Sequence, residues 1–253
     1  MLRLALLAVL AASPALAAGA FDSDWSASAR SRARLVADGR GAGFEIELAP
    51  GAITYWRDPG EAGVPPTFDF SGSANLAKAE VDFPAPERIV EPDGSVAFGY
   101  KASVILPIRV TPVDAGKPVR LAARVDYAVC EKLCLPAKAS AELTLGGAGA
   151  SPYAADLAAA RARVPEKVAP AGLGAVASAT SAKSWRLCLK AAPGDLFVEA
   201  PEGFWIEPKR EADRRCYALS LQQAPDGAKP PVEVRVTVEG ASGAQETRLT
   251  LGG

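Results

Sequence analysis

Two cysteines separated by a short tripeptide are the side chains of this sequence best suited to chemistry. Cys130 and Cys134 enclose Glu131, Lys132 and Leu133, in a chain with four cysteines and no histidine. Such a pair can close a small disulfide ring, and an exposed ring is open to attack by a thiolate. On the chain-entropy model this ring contributes only about 2 kcal/mol to stability. The spacing alone therefore leaves two interpretations open, a reversible redox pair and an ordinary hairpin disulfide.

The other two cysteines, Cys188 and Cys216, lie in two predicted strands of the second half of the chain. Pairing within each half is the simplest connectivity. The ring between residues 188 and 216 would contribute about 3.5 kcal/mol on the same model, so we predict that Cys188 and Cys216 form a structural disulfide. A metal site made of all four cysteines is the alternative, but the spacing lacks the two tight cysteine pairs of a zinc ribbon.

The composition excludes several classes of function. The chain contains no histidine, and its single methionine is Met1. Hydrolysis by a Ser–His–Asp triad, proteolysis by a Cys–His pair and zinc sites built on histidine are therefore excluded. The 28 basic and 29 acidic residues nearly balance, and basic residues do not cluster with aromatic ones, so nucleic acid is not an expected partner. We also expect no bound cofactor and no metal ion.

The N-terminus has the three-part layout of a secretory signal. A positive start at residues 1–3 precedes an apolar run at residues 4–12, and Ala15 and Ala17 supply the small-x-small pattern that a signal peptidase cleaves. The apolar run is too short for a stable membrane anchor. We predict a cleaved signal peptide at residues 1–17 and a periplasmic location, with a buried N-terminal helix as the alternative.

The elements that must position the cysteines are mostly strands. Apolar and polar residues alternate over residues 44–48, 119–129 and 232–238, which is typical of half-buried antiparallel strands. In the strand that ends at residue 129, the odd-numbered residues are predicted to face the core. Cys130 is therefore expected to start from the outward side of this strand.

One alanine-rich segment breaks this pattern and divides the chain. Residues between Pro152 and Val164 favour a helix, and the alanines, glycines and prolines that follow favour a linker. The fold prediction is an all-β protein with two β-sandwich domains, at residues 21–147 and 181–253. Residues 148–180 are predicted to form the helix and linker that join them.

The sequence resembles a known family. The segment around the first cysteine pair, two aromatic segments and one strand are similar to the N-terminal periplasmic domain of the thiol:disulfide interchange protein DsbD, and still more to its ScsB-like relatives. These segments are VDYAVCEKLCLP at 125–136, YWRDPGEAGVPP at 55–66, FGYK at 98–101 and VILPI at 104–108. They cover most of residues 25–147, and residues 196–203 more loosely resemble the second domain of such proteins.

The resemblance implies an immunoglobulin-like β-sandwich in which Cys130 and Cys134 are the exchanging pair. It also implies that Phe98 and Tyr100 cap this pair. Electrons would come from a membrane-embedded thiol donor and pass to periplasmic thioredoxin-like proteins. Because no transmembrane or thioredoxin-like segment is recognisable here, we expect the donor to be met in trans. DsbD spaces its two cysteines more widely, so the tighter ring can differ in reduction potential.

Two functional hypotheses follow. The first is a periplasmic thiol–disulfide interchange protein, a disulfide reductase component that relays reducing equivalents through Cys130 and Cys134. The second is a non-catalytic β-sandwich module for binding or assembly, in which both disulfides are structural. The two hypotheses differ in whether the Cys130–Cys134 disulfide can be reduced selectively while the fold survives. In an exchange, the later cysteine, Cys134, is expected to contact the partner.

Overall fold

The computed structural model describes residues 21–60, 63–91, 94–146, 149–191, 194–240 and 243–252. The predicted signal peptide at residues 1–17 lies outside the described residues. None of the helices in the described part of the chain has the length and hydrophobicity needed to cross a bilayer.

The first domain is a β-sandwich. In chain order its strands are β1 (Ser26–Ser28), β2 (Ser31–Asp38), β3 (Gly41–Leu48), β4 (Ile53–Gly60), β5 (Thr67–Asp69), β6 (Leu76–Val81), β7 (Glu87–Val90), β8 (Val96–Lys101), β9 (Ser103–Pro112), β10 (Val119–Cys130) and β11 (Cys134–Leu145). A five-stranded sheet has the order β1-β2-β3-β9-β6. A six-stranded sheet has the order β11-β10-β4-β8-β7, with β5 beside β10.

The core of this domain lies between the two sheets. Both sheets contribute side chains that are at most 1 % exposed, among them Leu35, Phe44, Leu106 and Leu121. Along β10 the burial alternates as far as Tyr127, as predicted for a half-buried strand. After Tyr127 every residue of β10 is buried, because a second apolar cluster covers the outer face of the sheet there.

The helix and the predicted linker follow. Helix α1 (Ala154–Ala162) lies where the alanine-rich segment predicted a helix, and it buries Leu157 and Ala160. The segment after it contains β12 (Glu166–Lys167), α2 (Pro170–Leu173) and β13 (Val176–Ser181). Both strands pair with strands of the second domain, so most of the predicted linker belongs to that domain. The composition did not predict these strands, because short edge strands need no alternation of apolar and polar residues.

The second domain is a smaller β-sandwich. Its remaining strands are β14 (Ser184–Cys188), β15 (Leu196–Glu199), β16 (Trp205–Arg210), β17 (Cys216–Gln223), β18 (Val232–Gly240) and β19 (Gly243–Leu251). Two four-stranded sheets have the orders β12-β19-β18-β15 and β13-β14-β17-β16. Trp185, Leu187 and Val236 are buried between these sheets. The predicted fold class, all-β with two sandwich domains, is confirmed.

The two domains share part of one core. Phe197 of β15 is completely buried in the core of the first domain, where it packs edge-to-face on Phe98 with ring centroids 5.0 Å apart. Its ring also lies 5.7 Å from that of Trp56 on β4. Burial of one such side chain is worth about 2 kcal/mol, so Phe197 contributes to the stability of the domain that it enters.

A partly buried ion pair network lies next to this aromatic contact. Arg57 of β4 donates to Glu199 at 2.7 Å and to Glu246 at 2.6 Å, and its guanidinium lies over the Trp56 ring. Removing one partner would leave an uncompensated buried charge. Strand β4 is therefore held by the second domain through Trp56 and Arg57.

Candidate functional site

The first cysteine pair closes the β10–β11 hairpin. Cys130 is the last residue of β10, Cys134 is the first residue of β11, and the two are directly opposed in the register. Their Cα atoms are 4.1 Å apart and their sulfurs form a disulfide. Glu131, Lys132 and Leu133 make the turn. The hairpin thus fixes the disulfide at one end of a long two-stranded ladder.

The two sulfurs of this pair have different surroundings. Cys130 is 2 % exposed, whereas Cys134 is exposed to solvent. Leu133, in the turn beside Cys134, is 70 % exposed. Cys134 is therefore the more accessible cysteine of the pair.

A tyrosine hydroxyl lies against both sulfurs. The O–H of Tyr55 donates a hydrogen bond to Cys130 Sγ at 2.7 Å, and its oxygen is 3.3 Å from Cys134 Sγ. Burial, reinforced by the nearby Glu91 carboxylate, raises the pKa of Tyr55 above its usual value of 10.0. The phenol therefore stays protonated at neutral pH. A hydrogen-bond donor at this position stabilises a Cys130 thiolate when the disulfide opens.

Strand β4 positions this tyrosine. Ile53 of β4 pairs with Cys130 of β10, and the Thr54 hydroxyl donates to the Ala128 carbonyl oxygen at 2.8 Å. Since side chains alternate along a strand, Ile53 and Tyr55 lie on the outer face together with Cys130. Tyr55 was not identified from the sequence as a site residue. The alternation places it on a face with Ile53, but only the pairing of β4 with β10 brings that face to the sulfurs.

The structure does not bring the predicted cap residues to the cysteine pair. Phe98 and Tyr100 lie on β8, are 4 % and 3 % exposed, and belong to the core between the two sheets. The Tyr100 hydroxyl donates to the Pro84 carbonyl oxygen at 2.7 Å. Cys130 lies on the opposite face of the same sheet, so Tyr55 occupies the place expected for them.

Packing explains why the residue between those two aromatic side chains, Gly99, is a glycine. It pairs with Tyr55 across β4 and β8, and a Cβ at Gly99 would overlap the Thr54 carbonyl oxygen. The family resemblance implies that the aromatic residues of FGYK cap the cysteines. In the structure the glycine allows two strands to approach closely.

A groove of about 610 Å³ opens beside the disulfide and has Cys130 in its wall. Its lining is mainly apolar and includes Ile53, Ile89 and Val90. Val90 is 61 % exposed. The site therefore combines an accessible sulfur with an open apolar surface.

The second cysteine pair has other surroundings. Cys188 and Cys216 are directly opposed on β14 and β17 and form a disulfide. Carboxylate oxygens of Glu211 and Asp213 and the sulfur of Cys216 lie within 4.8 Å of one another. Arg186 forms ion pairs with both carboxylates, and the sulfur is held in the disulfide, so this cluster does not offer a free ligand set. Negative charge beside a sulfur opposes thiolate formation.

Comparison with known proteins identifies relatives of this architecture. Residues 25–146 match the family model described as "Thiol:disulfide interchange protein DsbD, N-terminal". A search of curated proteins found no match. Among solved structures, the crystal structure of the N-terminal periplasmic domain of ScsB from Proteus mirabilis is similar, with a TM-score of 0.72 and 20% sequence identity. The match covers 92% of this chain and 98% of that one, and at this identity it shows a shared fold.

Proposed function

We propose that this chain, whose residues 25–146 belong to the DsbD N-terminal domain family, is a periplasmic protein that relays reducing equivalents through Cys130 and Cys134. The family is one of thiol:disulfide interchange. The step from family to relay rests on the geometry of the pair and on the chemistry that this geometry allows.

The observation that carries the proposal is the unequal environment of the two sulfurs. Cys134 is exposed and can contact another protein, while Cys130 is buried under the Tyr55 hydroxyl. A buried thiol ordinarily resists ionisation, since burial disfavours the charged form. The Tyr55 O–H offsets this cost at Cys130. One cysteine is thus suited to attack a partner and the other to resolve the intermediate.

The donating reaction has two steps. The Cys134 thiolate attacks one sulfur of a partner disulfide, forming a Cys134–partner disulfide and releasing the second partner sulfur as a thiolate. The Cys130 thiolate then attacks Cys134 Sγ, which re-forms the Cys130–Cys134 disulfide and releases the first partner sulfur. Two electrons pass from the chain to the partner, whose disulfide becomes two thiols after protonation.

Loading of the chain is the reverse reaction. A donor thiolate attacks the exposed Cys134 Sγ, and Cys130 leaves as a thiolate that accepts the Tyr55 hydrogen bond. By likeness to the family, the donor is a membrane-embedded thiol protein met in trans and the acceptors are thioredoxin-like proteins. No cofactor or metal takes part in either direction.

An exchange experiment tests this function. The reduced protein is mixed with a thioredoxin-like protein in its disulfide form, the reaction is quenched with acid, and free thiols are alkylated for mass spectrometry. We expect the partner to gain two thiols while Cys130 and Cys134 lose theirs. The Cys130→Ser/Cys134→Ser variant, which keeps the second disulfide, is the control and should transfer nothing.

The same experiment separates the two hypotheses. If the wild-type protein reduces no partner, and its first disulfide resists reductant as strongly as the second, the relay is wrong. The chain would then be a binding or assembly module with two structural disulfides.

The periplasmic location has a separate test. The predicted signal at residues 1–17 implies that the mature chain recovered from the periplasm lacks this segment. N-terminal sequencing of that chain should start after Ala17, and an intact Met1 would contradict export by cleavage.

A further inference from the structure

The described segment before β5, residues 63–66, begins with a glycine that lies directly on the ring of Tyr55. The backbone of Gly63 is so close that a Cβ at this position would lie 2.5 Å from Tyr55 Cδ1 and 2.9 Å from Cζ. Real Cβ atoms do not approach aromatic carbons to this distance. Gly63 also has a φ of +128°, which L-residues with a side chain rarely adopt. Two independent constraints therefore favour glycine here.

The strands on either side, β4 and β5, are each paired with a neighbouring strand. Gly60 ends β4 with a φ of +81°, and a Cβ there would lie 3.1 Å from the Phe98 ring. On the other side, β5 pairs with β10, the strand that carries Cys130. Pro65 and Pro66 precede β5, and their rings fix φ at two successive residues. The pairing of β5 and the two prolines restrict the freedom of Gly63 to move away from Tyr55.

We propose that Gly63 is a positioning residue for the exchange reaction, because its bare backbone packs on the Tyr55 ring and holds the hydroxyl on Cys130 Sγ. The inference rests on the proposed function. It adds the residue that positions the hydrogen-bond donor for the resolving thiolate of Cys130. Gly63 itself touches neither sulfur and acts only through Tyr55.

The physical basis is the steep distance dependence of a hydrogen bond. The Tyr55 oxygen is 2.7 Å from Cys130 Sγ, and any Cβ at Gly63 must displace the ring or the segment at 63–66. A ring shift of about 1 Å would lengthen this contact to about 3.7 Å and turn the O–H away from the sulfur, which weakens the hydrogen bond. Cys130 would then lose part of the compensation for its burial.

The test measures the pKa of the Cys130 thiol in the Cys134→Ser background, where the second disulfide stays oxidised. The thiolate is titrated by its ultraviolet absorbance, which does not depend on reagent access. Gly63→Ala should raise the Cys130 pKa by about one unit, as expected when a hydrogen bond to a charged group is weakened. In the Tyr55→Phe background the same change should add no further shift.

Gly243 supplies the matched control for backbone strain. Its φ is +120°, and a Cβ there would meet nothing within 4 Å. Gly243→Ala should therefore leave the Cys130 pKa unchanged while costing similar backbone strain. If Gly63→Ala does not fold, Pro65→Ala/Pro66→Ala replaces it, and the looser segment should raise the pKa in the same direction.

Two results would overturn the positioning role. An unchanged Cys130 pKa in a folded Gly63→Ala or Pro65→Ala/Pro66→Ala protein shows that this segment does not hold Tyr55. A shift of equal size in the Tyr55→Phe background shows that Gly63 acts by another route. Neither result depends on a partner, so failure of the relay in the exchange experiment is distinguished from failure of this inference.

Discussion

The two disulfides of this protein look alike at the level of the backbone. Each joins directly opposed residues of an antiparallel pair, with Cα atoms 4.1 Å apart at Cys130–Cys134 and 4.0 Å apart at Cys188–Cys216. They differ in what surrounds the sulfurs. The first has one exposed cysteine, Cys134, and a tyrosine donor on the sulfur of the other, and an apolar groove opens beside it. The second has two carboxylates close to Cys216.

On the proposed function, cross-strand geometry does not distinguish the exchanging pair from the structural one. The features that differ are the exposure of Cys134 and the Tyr55 donor at Cys130. Ring size also separates the two pairs. The ring closed by Cys188 and Cys216 is the larger one, and it contributes more to stability because it restricts the unfolded chain more. The predictions below are ordered from the contrast we expect to be largest to the smallest.

The largest contrast concerns covalent trapping of partners. Cys130→Ser leaves an exposed nucleophile at Cys134 with no thiol to resolve the adduct, so reductant-sensitive adducts should accumulate in the periplasm. Cys134→Ser leaves only the buried Cys130 and should give at least about tenfold fewer adducts, because exposure controls reactivity. Non-reducing gels with mass spectrometry measure both.

The second domain provides the control for trapping. Cys188→Ser and Cys216→Ser should give no discrete adducts beyond background. Adducts of comparable yield from either variant would remove the distinction between the two pairs.

Removal of the second disulfide should destabilise the protein more than removal of the first, which is the reverse of the order expected for trapping. Cys188→Ala/Cys216→Ala is expected to lower the free energy of unfolding by about 3.5 kcal/mol, and Cys130→Ala/Cys134→Ala by about 2 kcal/mol. The smaller ring constrains the unfolded chain less. Urea unfolding at neutral pH measures both losses, and a greater loss from the first pair would indicate a structural role for it.

The tyrosine beside each pair sharpens the comparison further. Tyr55→Phe removes the donor to Cys130, which should lower the rate at which reduced protein resolves an adduct by about tenfold. Tyr217 follows Cys216 directly, yet its hydroxyl donates to the Gly194 carbonyl oxygen at 3.0 Å. Tyr217→Phe should therefore leave resolution unchanged. Equal effects of the two variants on stopped-flow exchange would argue against a role for Tyr55.

The sequence predicted the strands better than the site, for a physical reason. Alternation along residues 119–129 is a local pattern. It could therefore predict which face of β10 packs in the core, and that Cys130 lies on the opposite, outward face. The burial of Cys130 could not be predicted, because it depends on Ile53 and Tyr55 of a strand far away in sequence. Pairing between distant strands leaves no local pattern.

The remaining differences concern the cap and the linker. Phe98 and Tyr100 were assigned to a cap by resemblance, whereas their positions on β8 turn them toward the core. The segment predicted as a linker at residues 165–180 contributes β12, whose partner β19 comes much later in the chain, and β13, which pairs with the adjacent β14. The pairing of β12 is long-range, and the exposed β13 lacks the apolar alternation that would have predicted a strand.

The smallest contrast concerns pH, and it involves a carboxyl group on the strand that carries Tyr55. Burial raises the pKa of Asp58 to about 6 from its ordinary value of 3.8, and the negative charge of Glu199 adds to the shift. The Gly60 N–H, which donates to Asp58 Oδ1 at 3.1 Å, opposes it. In the second domain, burial similarly raises the pKa of Glu239 on β18.

A raised carboxyl pKa fixes the sign of the pH dependence. Between pH 4 and 6 the folded state binds the Asp58 proton more tightly than the unfolded state, so this group destabilises the fold as pH rises through that window. At pH 7 the full penalty is present. Asp58→Asn removes the charge and keeps an oxygen for the Gly60 N–H, and we expect it to stabilise the protein by about 1 kcal/mol at pH 7.

That gain should shrink as the pH falls toward 4, because the wild-type carboxyl is then protonated and neutral as well. Glu239→Gln should show a smaller gain of the same sign, and Asp226→Asn, at an exposed position, should show none. Urea unfolding of the four proteins between pH 4 and 8 measures the differences. A gain from Asp58→Asn that is independent of pH would mean that packing or the Gly60 contact, and not the buried charge, sets its effect.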